Sequence, residues 1–166
     1  IQGPPGSGKT FTGAHMIIEL VRAEKRVGIT AGSHKVISNL LDALCKEARD
    51  FSLSIVQKSN EGDGCNHQLV KQVKANEEVL EKLGSGEAQI AAGTPWLWAR
   101  EEFAGSVDVL FVDEAGQMSL ANVLAVSHAA KSVVLLGDPQ QLDQPQKGVH
   151  PPGAESAGGG QRLADQ

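Results

Sequence analysis

A loop of the pattern G-x-x-x-x-G-K-T fills Gly3, Pro4, Pro5, Gly6, Ser7, Gly8, Lys9 and Thr10, at the very start of a 166-residue chain. No other stretch restricts the fold as tightly. Glycines take up backbone angles closed to other residues, so that successive N–H groups turn inward onto an anion. The spacing lets Lys9 reach β- and γ-phosphates and lets Thr10 offer its hydroxyl to Mg²⁺, while the helix that begins here aims its positive end at the same charge. Such a loop ordinarily follows a buried strand, of which only Ile1 and Gln2 are present, so the chain reads as cut just upstream of a nucleotide site.

Composition narrows the choice of partners. An apolar share of 40% is enough for the core of one domain. A net charge of −5 and a pI near 5.5 argue against a protein that coats itself with nucleic acid through bulk charge; a groove with local phosphate contacts stays open. No run of about 18 apolar residues is present and no secretory signal is visible, so no membrane is expected. Cys45 and Cys65 lack a paired spacing, and Cys65 with His67 falls short of a metal ligand set. Both read as free thiols of an intracellular, cytoplasmic protein.

Apolar runs and helical periods alternate through most of the length. Phe11, Ala14, Ile18 and Val21 predict one apolar face of a helix packed on a sheet. Residues 26–31 read as a strand. Ser33 reads as the N-cap of a second helix carrying Ile37, Leu40, Leu41, Leu44 and Ala48. A strand over 53–57 and a surface loop over 58–66 follow, and then Leu69, Val73, Leu80 and Leu83 predict a charged, solvent-facing helix. Three more strands end in chemical motifs: 88–92 before Gly93-Thr94-Pro95, 107–112 before Asp113-Glu114, and 132–136 before Gly137-Asp138-Pro139-Gln140-Gln141. Such alternation predicts an α/β fold, a parallel sheet with helices on both faces, whose ligands gather at the carboxyl ends of the strands. Residues 151–166, rich in glycine and without apolar period, read as a disordered tail or linker.

Val109-Leu110-Phe111-Val112 followed by Asp113-Glu114 is a buried strand ending in two carboxylates. Beside a phosphate loop, Asp113 is suited to hold Mg²⁺ and Glu114 to orient a water and take its proton as general base. An acidic strand end that caps the next helix is the structural alternative.

Taken together, Gly3 to Thr10, Asp113-Glu114-Ala115-Gly116-Gln117 and Leu135-Leu136-Gly137-Asp138-Pro139-Gln140-Gln141-Leu142 resemble motifs I, II and III of superfamily 1 helicases. The Asp-Glu-Ala-x-Gln form and the Gly-Pro-Pro-Gly-Ser-Gly-Lys-Thr loop look most like group B. Ile29 to Leu40 is similar to motif Ia and Gly93-Thr94-Pro95 to motif Ic. The resemblance covers residues 1–150 and implies the first RecA-like P-loop NTPase domain of a helicase or translocase. ATP and Mg²⁺ are then expected as cofactors, and single-stranded DNA or RNA as the partner. By the same resemblance Lys9, Glu114 and Gln141 are catalytic, with Gln141 on the γ-phosphate. Gln117 would link the phosphate to strand movement, and Thr30, Ser33 and Thr94 would touch the nucleic-acid backbone.

Hydroxyls and loop N–H groups suit that last role because they hold phosphate oxygens without reading bases, although Thr30 and Thr94 equally suit capping of a strand end. Trp96 and Trp98 invite a base-stacking reading, but within an apolar segment burial is the stronger expectation. Residues 141–155 also resemble bacterial helicases with a RecB-like nuclease domain upstream, yet no Asp/Glu/Lys cluster stands apart from the phosphate site. Two departures follow from the resemblance. The second RecA-like domain and its arginines are absent, and so is the upstream glutamine that reads adenine. A protein-remodelling ATPase would end its last strand in a polar sensor residue, which is missing; a nucleotide-binding remnant without turnover remains the alternative.

Overall fold

Five of the six strands stand where the apolar runs put them. The computed structural model describes residues 1–3, 8–48 and 51–138. In chain order its elements are α1 (Lys9–Arg22), β1 (Val27–Thr30), α2 (His34–Glu47), β2 (Ile55–Lys58), β3 (Val70–Val73), α3 (Asn76–Ser85), β4 (Ile90–Ala92), α4 (Pro95–Trp98), β5 (Val107–Val112), α5 (Leu120–Ser127) and β6 (Ala130–Leu135). The strands form one sheet in the order β3-β2-β4-β1-β5-β6, and every neighbouring pair is parallel. All carboxyl ends therefore open on the same edge.

The pleat sorts the core into two layers, because successive side chains point to opposite faces. Ile29, Ile55, Ile90 and Phe111 meet Ile17 and Ile18 of α1 and Leu40, Leu41 and Leu44 of α2. On the other face Val56, Ala91, Leu110 and Val112 meet Val79 and Leu83 of α3, Leu97 and Trp98 of α4 and Val126 of α5. Phe111 is fully buried, so truncating it to alanine costs about 3–5 kcal/mol. Ser33 caps α2 as expected, its Oγ accepting from the Val36 N–H at 3.3 Å. Helices α1 and α2 are tied to each other at the surface by His15 and Glu47, 3.1 Å apart.

Two readings of the sequence fail here. Leu69 and Val73 do not belong to a helix: residues 70–73 are the edge strand β3, paired with β2, and the helix starts only at Asn76. Leu69 packs on the α1/α2 layer and Val73 on the opposite one, so the spacing of four that suggests one helix face here places the two side chains on opposite sides of the sheet. Phe11 is the second failure. It lies at the margin of the stripe formed by Ala14, Ile17, Ile18 and Val21, and is 54% exposed with its ring centroid 4.3 Å from that of His15. The expected tail at 151–166 lies outside the described residues.

Candidate nucleotide site

Helix α1 begins where the glycine loop must turn. Gly8 sits at φ 77°, ψ 19° as its N-cap, a left-handed conformation that glycine adopts without strain, and its carbonyl accepts from the Thr12 N–H at 2.9 Å. Lys9 Nζ donates to the Gly3 carbonyl, and Thr10 stands partly exposed in the first turn. Gly3 is held against the end of β6: Gln2 bridges Gly137 in parallel, and the Gly137 N–H donates to the Ile1 carbonyl at 3.1 Å. Pro4, Pro5, Gly6 and Ser7 lie outside the described residues, as does Gln141.

Strand β5 delivers the two carboxylates to the same edge. Asp113 follows it directly, only 9% exposed, its N–H donating to the Thr30 carbonyl at 2.8 Å. Burial pushes its carboxyl above the ordinary range; the Glu114 N–H holds it back, the Glu114 charge adds to the rise and the Lys9 charge opposes it. That N–H donates to Asp113 Oδ1 at 2.8 Å. Lys9 and Asp113 therefore feel each other's charge across the site.

Glu114 adopts φ 50°, ψ 41°, one of two non-glycine residues with positive φ among those described, the other being Glu24. A left-handed glutamate is costly and persists only where its surroundings enforce it. Those surroundings are visible. The Ala115 N–H donates to the Leu136 carbonyl at 2.8 Å, and a Cβ on Gly116 would lie 2.8 Å from the Asp138 carbonyl oxygen. The Asp-Glu turn is thus pressed onto the end of β6, and Gly116 is the residue that permits it. Glu114 precedes a short 3-10 turn, Ala115–Gln117, without capping it through its side chain, so the capping alternative is not realised. Gln117 is partly exposed in that turn.

Sequence reasoning gave Asp138 no role and passed over the small side of the site. Asp138 is 5% exposed, beside Gly116. The clue was the glycine in each motif, Gly116 and Gly137, since two backbones that approach so closely leave no room for Cβ atoms.

The residues expected to touch nucleic acid divide. Thr30 is wholly buried and its Oγ1 has no hydrogen-bond partner, because β1 runs between β4 and β5. Its side chain is closed to a strand at the surface, and this corrects the expectation. Ser33 is exposed and Thr94 partly so; Thr94 occupies the N-cap position of α4 without a side-chain bond. Because β1 and β4 pair Ile29 with Ala92, the loops bearing Ser33 and Thr94 lie side by side. The tryptophans also divide: Trp98 is buried, whereas Trp96 is 86% exposed, against expectation.

Both cysteines are free and buried. Cys65 Sγ donates to Asp42 Oδ1 at 3.2 Å. Burial, with the nearby Cys65 and Asp42, pushes the Cys45 thiol up to about 11. No helix among the described residues is long and apolar enough to cross a membrane.

A parallel sheet whose carboxyl edge gathers the start of α1, a buried aspartate and a left-handed glutamate is an α/β architecture of the RecA-like kind. The family model described as an AAA domain matches residues 1–151, and the chain belongs to that family. It is 30% identical to the ATP-dependent helicase NAM7 of Saccharomyces cerevisiae, over 86% of this chain and 18% of that protein. It is 29% identical to the DNA replication ATP-dependent helicase/nuclease DNA2 of Xenopus laevis, over 86% of this chain and 14% of that protein. The chain thus spans only a small part of these curated relatives. Among solved structures, the complex of arterivirus nonstructural protein 10, a helicase, with DNA shares the fold, with a TM-score of 0.53 and 19% identity over 86% of this chain and 29% of that one.

Proposed function

We propose that this chain is the ATP-binding lobe of a superfamily 1 helicase or translocase motor, which hydrolyses ATP to move along single-stranded nucleic acid. One observation carries the reading: the left-handed Glu114, held beside the buried Asp113 by Gly116 against Asp138, at the edge where Lys9 begins α1. Lys9 would bind the β- and γ-phosphates, with Gly3 to Thr10 around them. Glu114 would orient the attacking water and accept its proton, Gln141 would contact the γ-phosphate, and Gln117 would link the phosphate to strand movement.

The donor set suits Mg²⁺. A metal that already carries nucleotide phosphates needs few protein oxygens, and a carboxylate buried next to a second one, with its pKa raised, is stabilised by a cation. Thr10 and Asp113 would hold it. When bound, Mg²⁺ would neutralise charge on the phosphate oxygens as the terminal bond breaks.

A second RecA-like lobe would complete the site with arginines, a contribution worth roughly 10³–10⁵ in rate where such a residue acts. The chain by itself should therefore release only trace phosphate, with little stimulation by single-stranded oligonucleotide. The test is calorimetric titration with Mg-ATP. Wild-type chain and Glu114→Gln should bind, and Lys9→Ala should not. Absence of binding by Glu114→Gln would sink the assignment of Glu114 as base, and strong oligonucleotide-stimulated turnover by the chain alone would sink the two-lobe reading. Binding with no turnover even beside a second lobe would mark a nucleotide-binding remnant.

A further inference from the structure

Trp96 is the most exposed of the large apolar side chains among the described residues, at 86%. An indole left in water forgoes the burial of some 150–250 Å² that such a ring normally supplies. Its backbone is not free to tuck it away. Leu97 is buried, and Trp98 is fixed by its Nε1, which donates to the carbonyls of Ile29 at 3.1 Å and Gly93 at 3.2 Å. Trp98 also packs edge-on against Phe103, ring centroids 5.7 Å apart, and its carbonyl meets His128 Nε2 at 3.0 Å. With 97 and 98 committed to the core, the helical turn points 96 outward.

The neighbourhood is polar. Pairing of β1 with β4, and the Gly93 N–H donating to the Ile29 carbonyl at 3.0 Å, set the Trp96 turn beside the start of α2. There Ser33 and Lys35 are exposed, and Thr94 precedes Trp96 by two residues. Hydroxyls, one ammonium and one rigid aromatic face on a common edge are the parts from which single strands are held: phosphates on the polar groups and a base on the ring.

We propose that Trp96 stacks a base of single-stranded nucleic acid whose phosphates run along Ser33, Lys35 and Thr94. The inference rests on the strand-binding reading above and adds a base contact to it. Stacking on a ring is tolerant of sequence, since every base has a π-face, so this contact selects single strands over duplex rather than one base over another.

The test is a titration of the full chain into end-labelled short oligo(dT) and oligo(U) at low salt, with affinity read from the anisotropy of the label and stacking from tryptophan emission, Trp98 serving as the buried internal reference. Wild-type emission should be quenched on binding. Trp96→Ala should weaken the affinity by roughly five- to 150-fold without changing the salt dependence, since no charge is removed, and Trp96→Phe should recover most of the loss. Lys35→Ala should instead reduce the salt slope by about 0.7. Comparison of the two oligonucleotides separates DNA from RNA as the source of the strand. Unchanged affinity in Trp96→Ala would overturn the stacking and leave the strand-binding reading standing. Failure of the wild-type chain to bind either oligonucleotide would overturn both. Quenching that depends on protein concentration alone, relieved by Leu124→Ser on the neighbouring α5, would mark an interface between copies of the chain and overturn the proposal as well.

Discussion

Strand β5 carries an aspartate near each end, and the two are treated in opposite ways. Asp108, near the amino end, accepts from the Arg26 N–H at 2.9 Å and from Lys131 Nζ at 2.8 Å, and these partners, Lys131 foremost, hold its carboxyl below the ordinary range. Asp113, just past the carboxyl end, is pushed the other way by burial. One carboxylate is satisfied and joins the starts of β1, β5 and β6. The other stands beside a second acid, with a lysine that points its ammonium at Gly3. At Asp113 burial outweighs the Glu114 N–H and the Lys9 charge, and a carboxylate whose ionised form is disfavoured in this way lowers stability at neutral pH.

Substitutions can break that contrast, starting with the largest effect. Glu114→Gln, tested with a second lobe present, should lower hydrolysis by about 10²–10⁴-fold while nucleotide binding persists; Asp108→Ala should leave hydrolysis per folded molecule unchanged. Single-turnover phosphate release distinguishes the two. Gly116→Ala comes next. Its Cβ meets a backbone oxygen at 2.8 Å, so urea denaturation should show a loss of about 1–3 kcal/mol, with hydrolysis beside a second lobe falling as Glu114 is displaced.

Asp108→Ala should cost about 1 kcal/mol at pH 7, mostly the lost bond to the Arg26 N–H, because the Lys131 partner is an exposed ion pair. Its folded pKa is depressed, so this contribution is present above the unfolded carboxylate pKa and is lost as pH falls through the folded value. Asp113→Asn gives the smallest and most diagnostic shift. A folded pKa raised above the unfolded one means that stability is lost as pH rises from the unfolded value through the folded one. Removing the charge should therefore raise the melting temperature at pH 7, and the gain should vanish in acid. A destabilised Asp113→Asn at neutral pH would refute the picture of a carboxylate disfavoured by burial. Thermal melts at several pH values read both aspartates.

Local pattern made much of this visible before any coordinates. The run Val107 to Val112 is apolar enough to read as a strand at its observed bounds, and Ser33 announces a cap because its hydroxyl serves the first turn wherever the helix lies. Failures came where a neighbour decides. Thr30 is closed to the surface by strands distant in sequence, and Phe11 is exposed because the stripe of α1 ends just short of it. Trp96 and Trp98 stand two residues apart in one short helix, hence about 200° apart around its axis, and composition cannot say which of them turns inward. The left-handed Glu114 is legible only as a pair of acids; its backbone is set by Gly116 meeting Asp138, a contact across 22 residues of chain.

The buried thiols offer a different use. Cys45 lies in α2, and with its pKa pushed up to about 11 it carries almost no thiolate at neutral pH. An alkylating reagent must then wait for the chain to open around α2 and the loop bearing Cys65, so the rate of modification becomes a stopwatch for breathing of that layer. Because α1 packs on α2, and α1 begins at Lys9 in the proposed nucleotide site, nucleotide added at one end of the layer should slow the stopwatch at the other.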